Sequence, residues 1–274
     1  MERLVITAQL SSSLILGGGY FTFDALLAGV LSGLVVTVVQ TWQVVPIIFS
    51  AEAFENQADA MAPAMAETDG HTHAADEWAP DDGFERTAFT LLANVLTAMG
   101  FALVLMAAMV ASKSIPGNQD AKFGWSQGLL WGVAGYVVFW LAPAIGMPPE
   151  IPLQTTAPLE LRQMWWFLAV ICTAAGLAGL AFGKSPWRWL APVLLVVPHL
   201  VGAPHPEGAM FGDQPPAVAA QLEELAQQFA GASAIANAAL WIVLGLASSW
   251  AVRRMLAAMK EDNSSKSEIE APSV

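Results

Sequence analysis

The sequence predicts an all-α integral membrane protein, a polytopic bundle of about six transmembrane helices with both termini in the cytoplasm. Three observations lead there. Of 274 residues, 55% are hydrophobic and 12% are charged, against roughly 25% charged in an ordinary soluble domain. Most of the remaining charge sits in short loops between apolar runs of about 20 residues, the length that crosses a bilayer core of roughly 30 Å. Those runs are continuously apolar and do not alternate, so helices, not barrel strands, satisfy their backbones in lipid. The bilayer is therefore the first expected partner. A net charge of −12 argues against nucleic acid, whose phosphates require a basic surface.

Residues 1–20 read as an N-terminal extension on the membrane surface. Their weak basic start and the glycines at 17–19 make a poor signal-peptide cleavage site. The membrane domain covers 21–255. Its first span, about 21–49, holds Gly29-x-x-x-Gly33, which lets a neighbouring helix approach closely, and Pro46 near its exit. An outer loop, 50–86, follows, dense in carboxylates and carrying His71-x-His73. Asp82-Gly83-Phe84-Glu85 resembles an acidic capping box and opens the second span, about 87–112. The third, about 123–145, repeats Gly124, Gly128 and Gly132, with Gly135 beyond, as a smooth packing face. Pro143 and Pro148-Pro149 break it. Trp165 and Trp166 open the fourth span, about 163–182, where interfacial tryptophans belong. The fifth, about 189–201, is short and interrupted by Pro192 and Pro198. An outer loop, 202–230, contains a polar helix that can lie on the surface. The last span, about 235–250, precedes Arg253 and Arg254, and 256–274 reads as a disordered cytoplasmic tail.

Basic residues concentrate on the cytoplasmic side of a membrane protein. With six spans, Arg3, Lys113, Lys122, Lys184, Arg188, Arg253, Arg254, Lys260 and Lys266 share one side, and Arg86 and Arg162 the other. That imbalance places both termini inside. Omitting the fifth span would carry the basic C-terminal end outside, so six is the better count. All four histidines and most carboxylates then fall on the outer side.

Neutral imidazole is the common ligand of zinc, copper, nickel and cobalt-like ions, and carboxylates complete such shells. His71 and His73 would form an outer collecting arm; the plainer alternative is a solvated loop with two incidental histidines. His199 and His205 flank a proline-broken helix end, Pro198-His199-Leu200-Val201-Gly202-Ala203-Pro204-His205. Broken helices at membrane boundaries line cavities, although an interfacial histidine beside a stiff turn would look the same. The candidate metal set is therefore His199 and His205 at a pore mouth, helped by Asp82 or Glu85, with His71 and His73 further out. A few ligands suit passage better than a closed cage, because the ion must leave again.

Absences narrow the function. No Asp, Glu, Lys or Arg lies deep in spans two to six, and Asp24 is near the start of the first, which disfavours an autonomous proton-coupled pump. No phosphate-binding loop, serine elbow or His-Glu-x-x-His occurs, so no enzyme and no covalently bound cofactor is expected. Cys172 stands alone, so no intrachain disulfide forms.

A set of ordered motifs brings a family into view: Glu52-x-x-Glu55, then Trp78-x-Pro80-x-Asp82-Gly83-x-Glu85-Arg86-Thr87. Trp131-Gly132-x-x-Gly135, Leu141-Ala142-Pro143 and Pro148-Pro149-Glu150 follow. Arg162-Gln163-x-Trp165-Trp166 and Pro198-His199-x-x-Gly202-Ala203-Pro204 complete the set. Over about residues 21–255 this order resembles the cobalt transporter subunit CbtA family. The resemblance implies a membrane subunit that imports Co²⁺ for cobalamin synthesis, working with a small one-span, histidine-rich CbtB-like partner. The expected location is the bacterial inner membrane. The rival reading is a non-transport structural or assembly subunit, whose glycine-rich third span packs against a larger complex.

Overall fold

The computed structural model describes residues 2–61, 80–212 and 214–270. Among these residues every regular element is helical. α1 (Glu2–Gln43) and α2 (Val45–Met61) are followed by α3 (Phe84–Ser112) and α4 (Trp125–Tyr136). A π-helical turn (Val137–Leu141) joins α4 to α5 (Ala142–Gly146). Then come α6 (Leu159–Phe182), a 3-10 turn (Trp187–Leu190), α7 (Ala191–Val201) and α8 (Pro216–Glu270). Among the described residues, five segments are long and apolar enough to cross a membrane: Gly19–Gln43, Phe84–Ser112, Trp125–Gly146, Leu159–Phe182 and Pro216–Asp262. The sixth apolar helix, Arg188–Val201, extends about 21 Å at 1.5 Å per residue, short of a full hydrocarbon core. Large side chains such as Leu96, Val104, Leu130, Phe167 and Ile171 stand exposed on these helices. Lipid, not water, is the solvent such faces require.

Three boundaries differ from the sequence reading. The N-terminal extension is no separate element, because α1 runs through Gly17–Gly19 without a break. The helix pauses at Val44 instead, where Pro46 lacks an N–H and its ring displaces the carbonyl four residues back. The polar helix of the 202–230 loop, the last span and the stretch expected to be a disordered tail are one helix of 55 residues, continuous to Glu270. Pro143 does not end the third span either. The preceding turn widens to a π-helix, which makes room for the proline ring without interrupting the segment.

The chain divides into two compact units, Met1–Val35 with Ala93–Tyr136 and Ala238–Val274, and Val36–Leu92 with Val137–Asn237. In the first, glycine lets backbones meet. A Cβ on Gly33 would stand 2.6 Å from the Val95 Cα, and one on Gly128 would stand 2.9 Å from the Gly245 oxygen. Gly132 and Gly135 lie against Trp241, which is buried and tilted 5.0 Å from Phe101 between ring centroids. Gly124 has open space beside it, but its carbonyl accepts a bond from the Ser249 hydroxyl at 3.0 Å. The glycine face of α4 is thus covered by α8 of the same chain.

In the second unit α6 and α7 pack together, with Gly176 and Gly179 opposite Leu195 and Ala191. The start of α8 buries one stripe: Leu222 is fully enclosed with Ala51, Ile151 and Phe211, and Phe54, Val218, Leu225 and Phe229 pack around them. That stripe separates this amphipathic stretch from a free surface helix.

Candidate functional site

The residues that the sequence reading puts on the outer side are positioned by three local structures, all in the second unit. At the start of α3, Gly83 takes a left-handed φ of +97° and lets the chain turn into the helix. Glu85 then reaches back to accept the Asp81 N–H at 3.4 Å, the carboxylate half of a capping box shifted one residue from the expected one. The next residue, Arg86, donates to both oxygens of Glu52 at 3.0 and 2.5 Å and to Asp82 at 3.1 Å. Its guanidinium carbon lies 4.8 Å from the Phe49 ring centroid, a cation–π contact. The guanidinium therefore clasps α2 to α3.

The second structure is an ion pair between Arg162, near the start of α6, and Glu150 in the preceding loop. The third surrounds His199. Pro198 interrupts the hydrogen bonding of α7, and Gly202 ends the helix at φ +85°. The Pro198 carbonyl accepts from the Trp165 indole N–H at 3.1 Å and from the Gly202 N–H at 3.1 Å. The half-buried His199 imidazole stands edge-on to Trp165, 6.1 Å between centroids. His205 is exposed in the loop that follows.

Of the six candidate ligands, the structure fixes the surroundings of four. Asp82 is engaged by Arg86 and Glu85 by the backbone before α3, while His199 packs on Trp165 and His205 faces out. They are not gathered into one shell: among the described residues, no three His, Cys, Asp or Glu side chains converge to hold a metal. His71 and His73 lie outside the described residues. The sequence reading missed the two arginine clasps. Their signal was the charge count, since Arg86 and Arg162 are the two bases that the sequence reading puts on the carboxylate-rich side, and each is paired with an acid beside it.

Continuous apolar helices, lipid-suited outer faces and charges paired at the helix ends define a polytopic helical membrane protein. The chain belongs to the CbtA family, described as a probable cobalt transporter subunit, which matches residues 20–253. No curated protein and no solved structure matches it. The residues that carried the resemblance are partners in space: Glu52 with Arg86, Glu150 with Arg162, and Trp165 with Pro198 and His199.

Proposed function

We propose that this chain is the membrane subunit of a divalent-metal importer, with Co²⁺ as its cargo. Membership of the CbtA family over residues 20–253 carries the reading. His199 and His205 take the ion at the entrance of a helical pathway, with His71 and His73 as the outer collecting arm. Both termini lie in the cytoplasm by the distribution of basic residues. A histidine-rich, one-span CbtB-like subunit is the partner, and the bacterial inner membrane the location. Asp82 and Glu85 contribute negative potential near the entrance more than direct ligation, because both already accept hydrogen bonds. That potential raises the local cation concentration, and a membrane potential favours entry by about 2.3 kcal/mol per charge per 100 mV.

The test is uptake of labelled Co²⁺ by cells lacking other importers, with Ni²⁺ and Zn²⁺ as competitors and the candidate partner present. Uptake with the intact chain and its collapse in His199→Ala/His205→Ala, at matched membrane abundance, is the expected result. Uptake no greater than in empty membranes would overturn the reading. Association that survives loss of all four histidines, together with indifference to metal, would favour the assembly subunit. One support for that rival is weaker, since α8 already covers the glycine face of α4.

A further inference from the structure

A groove of about 350 Å³ in the first unit has no part in the outer site. Three helices wall it. α1 contributes Leu27 and Leu31, one turn apart, and α4 its first residue, Trp125. From α8 come Val243, Leu246, Trp250 and Arg253, a stripe at helical spacing. At 1.5 Å per residue that stripe runs about 15 Å. Asp24 touches the same wall, but its side chain is fully enclosed, and its charge faces Arg254, whose Nη1 is 3.7 Å away. The Arg254 guanidinium carbon lies 5.5 Å from the Trp250 ring centroid. Arg253 is exposed, and among the described residues no carboxylate engages it. One carboxylate against two arginines leaves one positive charge, and Arg253 is where the groove can use it.

Apolar side chains facing lipid are ordinary on a membrane helix, but here small residues leave a recess between them. Ala28, Gly124 and Ala247 line it, and a Cβ on Gly124 would meet nothing within 4 Å. The volume is that of a small-ligand cleft, about 300–1,000 Å³, so it suits a slender occupant held on several sides by dispersion. Trp125 and Trp250 are 76% and 45% exposed, as expected of indoles at head-group depth. Arg253 follows Trp250 by three residues on α8, and guanidinium is the side chain best matched to phosphate. An apolar slot with an unpaired guanidinium at its end has the form of an anionic amphiphile. A free cation would be repelled there, and a soluble anion would find one side-chain donor and otherwise hydrocarbon.

We propose that this groove holds one acyl chain of an anionic phospholipid, whose phosphate sits on Arg253. Basic pockets between membrane helices take such head groups. The bound lipid would tie α1 to the seam of α4 and α8, stabilising the first unit by mass action. On the orientation proposed above, the Arg253 end faces the cytoplasmic leaflet, where the surface potential is negative. The site itself needs only a bilayer containing anionic lipid, and it stands whatever the protein carries.

The experiment titrates the delipidated full chain in neutral micelles with phosphatidylglycerol, and with phosphatidylcholine of the same acyl chains. Native mass spectrometry counts the bound lipid, and thermal melting is followed on the same samples. The intact chain should hold one phosphatidylglycerol about fivefold more tightly than phosphatidylcholine, and phosphatidylglycerol should raise its melting temperature more. Arg253→Gln should abolish that preference, whereas Lys260→Gln, two turns further along α8 and also exposed, should keep it. Ala247→Leu and Gly124→Leu, which fill the slot, should weaken both lipids alike. Glycerol 3-phosphate, a head group without chains, should not compete. Equal affinity for the two lipids, or a preference that survives Arg253→Gln or is lost equally in Lys260→Gln, overturns the site. So does full binding in both filled variants, competition by glycerol 3-phosphate, or a copurified peptide whose presence excludes lipid. If the filled variants do not fold, the contrast between Arg253→Gln and Lys260→Gln decides alone. Absence of Co²⁺ uptake would sink the importer reading and leave this site untouched.

Discussion

The Arg86–Glu52 clasp lends itself to a quantitative test because both a brace and an ion ligand would use a carboxylate at position 52. The perturbation is a cycle of Glu52→Gln, Arg86→Gln and the double variant, with the exchange Glu52→Arg/Arg86→Glu alongside. Two charge-assisted bonds join the pair at 3.0 and 2.5 Å, and the side chains are 30% and 28% exposed. Exposed pairs couple by about 0–1 kcal/mol, and breaking a fully buried one costs about 3–5 kcal/mol. Intermediate shielding places the coupling at about 2 kcal/mol, a factor of about 30 in an equilibrium constant. Asp82, 79% exposed, adds little. Reversible denaturation in mixed micelles reads the coupling, and Co²⁺ uptake reads the function. The exchange variant should recover most of the stability lost by either single variant, and uptake with it. A coupling under about 0.5 kcal/mol, within the error of additive sites, would refute the clasp. Stability recovered without uptake would leave the clasp standing and give the Glu52 carboxylate a second role as a ligand.

Three further outcomes follow from the packing. Gly132→Leu would drive a side chain into the backbone of Trp241 and should destabilise by about 3 kcal/mol or more, read as a lowered melting temperature. Leu222→Ala should cost about 2–5 kcal/mol, whereas a free surface helix would lose almost nothing. Trp165→Phe removes the bond to the Pro198 carbonyl, about 1 kcal/mol; if that bond positions His199, Co²⁺ uptake should fall more than melting does.

The helical segments were legible because they are written locally, in apolar runs bounded by proline and charge. The paired glycines were legible too: Gly29 and Gly33 meet α3, and Gly128 and Gly132 meet α8. The extent of α1 and α8 was not, because polar composition suggested boundaries where the backbone has none. The available signal was the absence of proline before Pro46 and between Pro216 and Pro272. The candidate site was legible by residue type and not by partnership. Asp82 and Glu85 look like ligands in one dimension, yet the first serves Arg86 and the second the start of α3. Arg86 meets Glu52 across 34 residues, and no short-range pattern encodes that pairing. Asp24 was noticed for its place near the start of a span, but its burial and long pairing with Arg254 are purely tertiary.

The crossing of α4 and α8 has a mechanical consequence. At Gly128, Gly132 and Gly245 the contact is backbone on backbone, so no side chain is available there to change rotamer and absorb movement. Such a seam is nearly incompressible, and the two helices turn or slide there together. Compliance belongs where helical hydrogen bonding is already interrupted, at Val44 before Pro46 and at the π-helical turn Val137–Leu141. A conformational cycle in this protein would therefore pivot on its glycines and bend at its prolines.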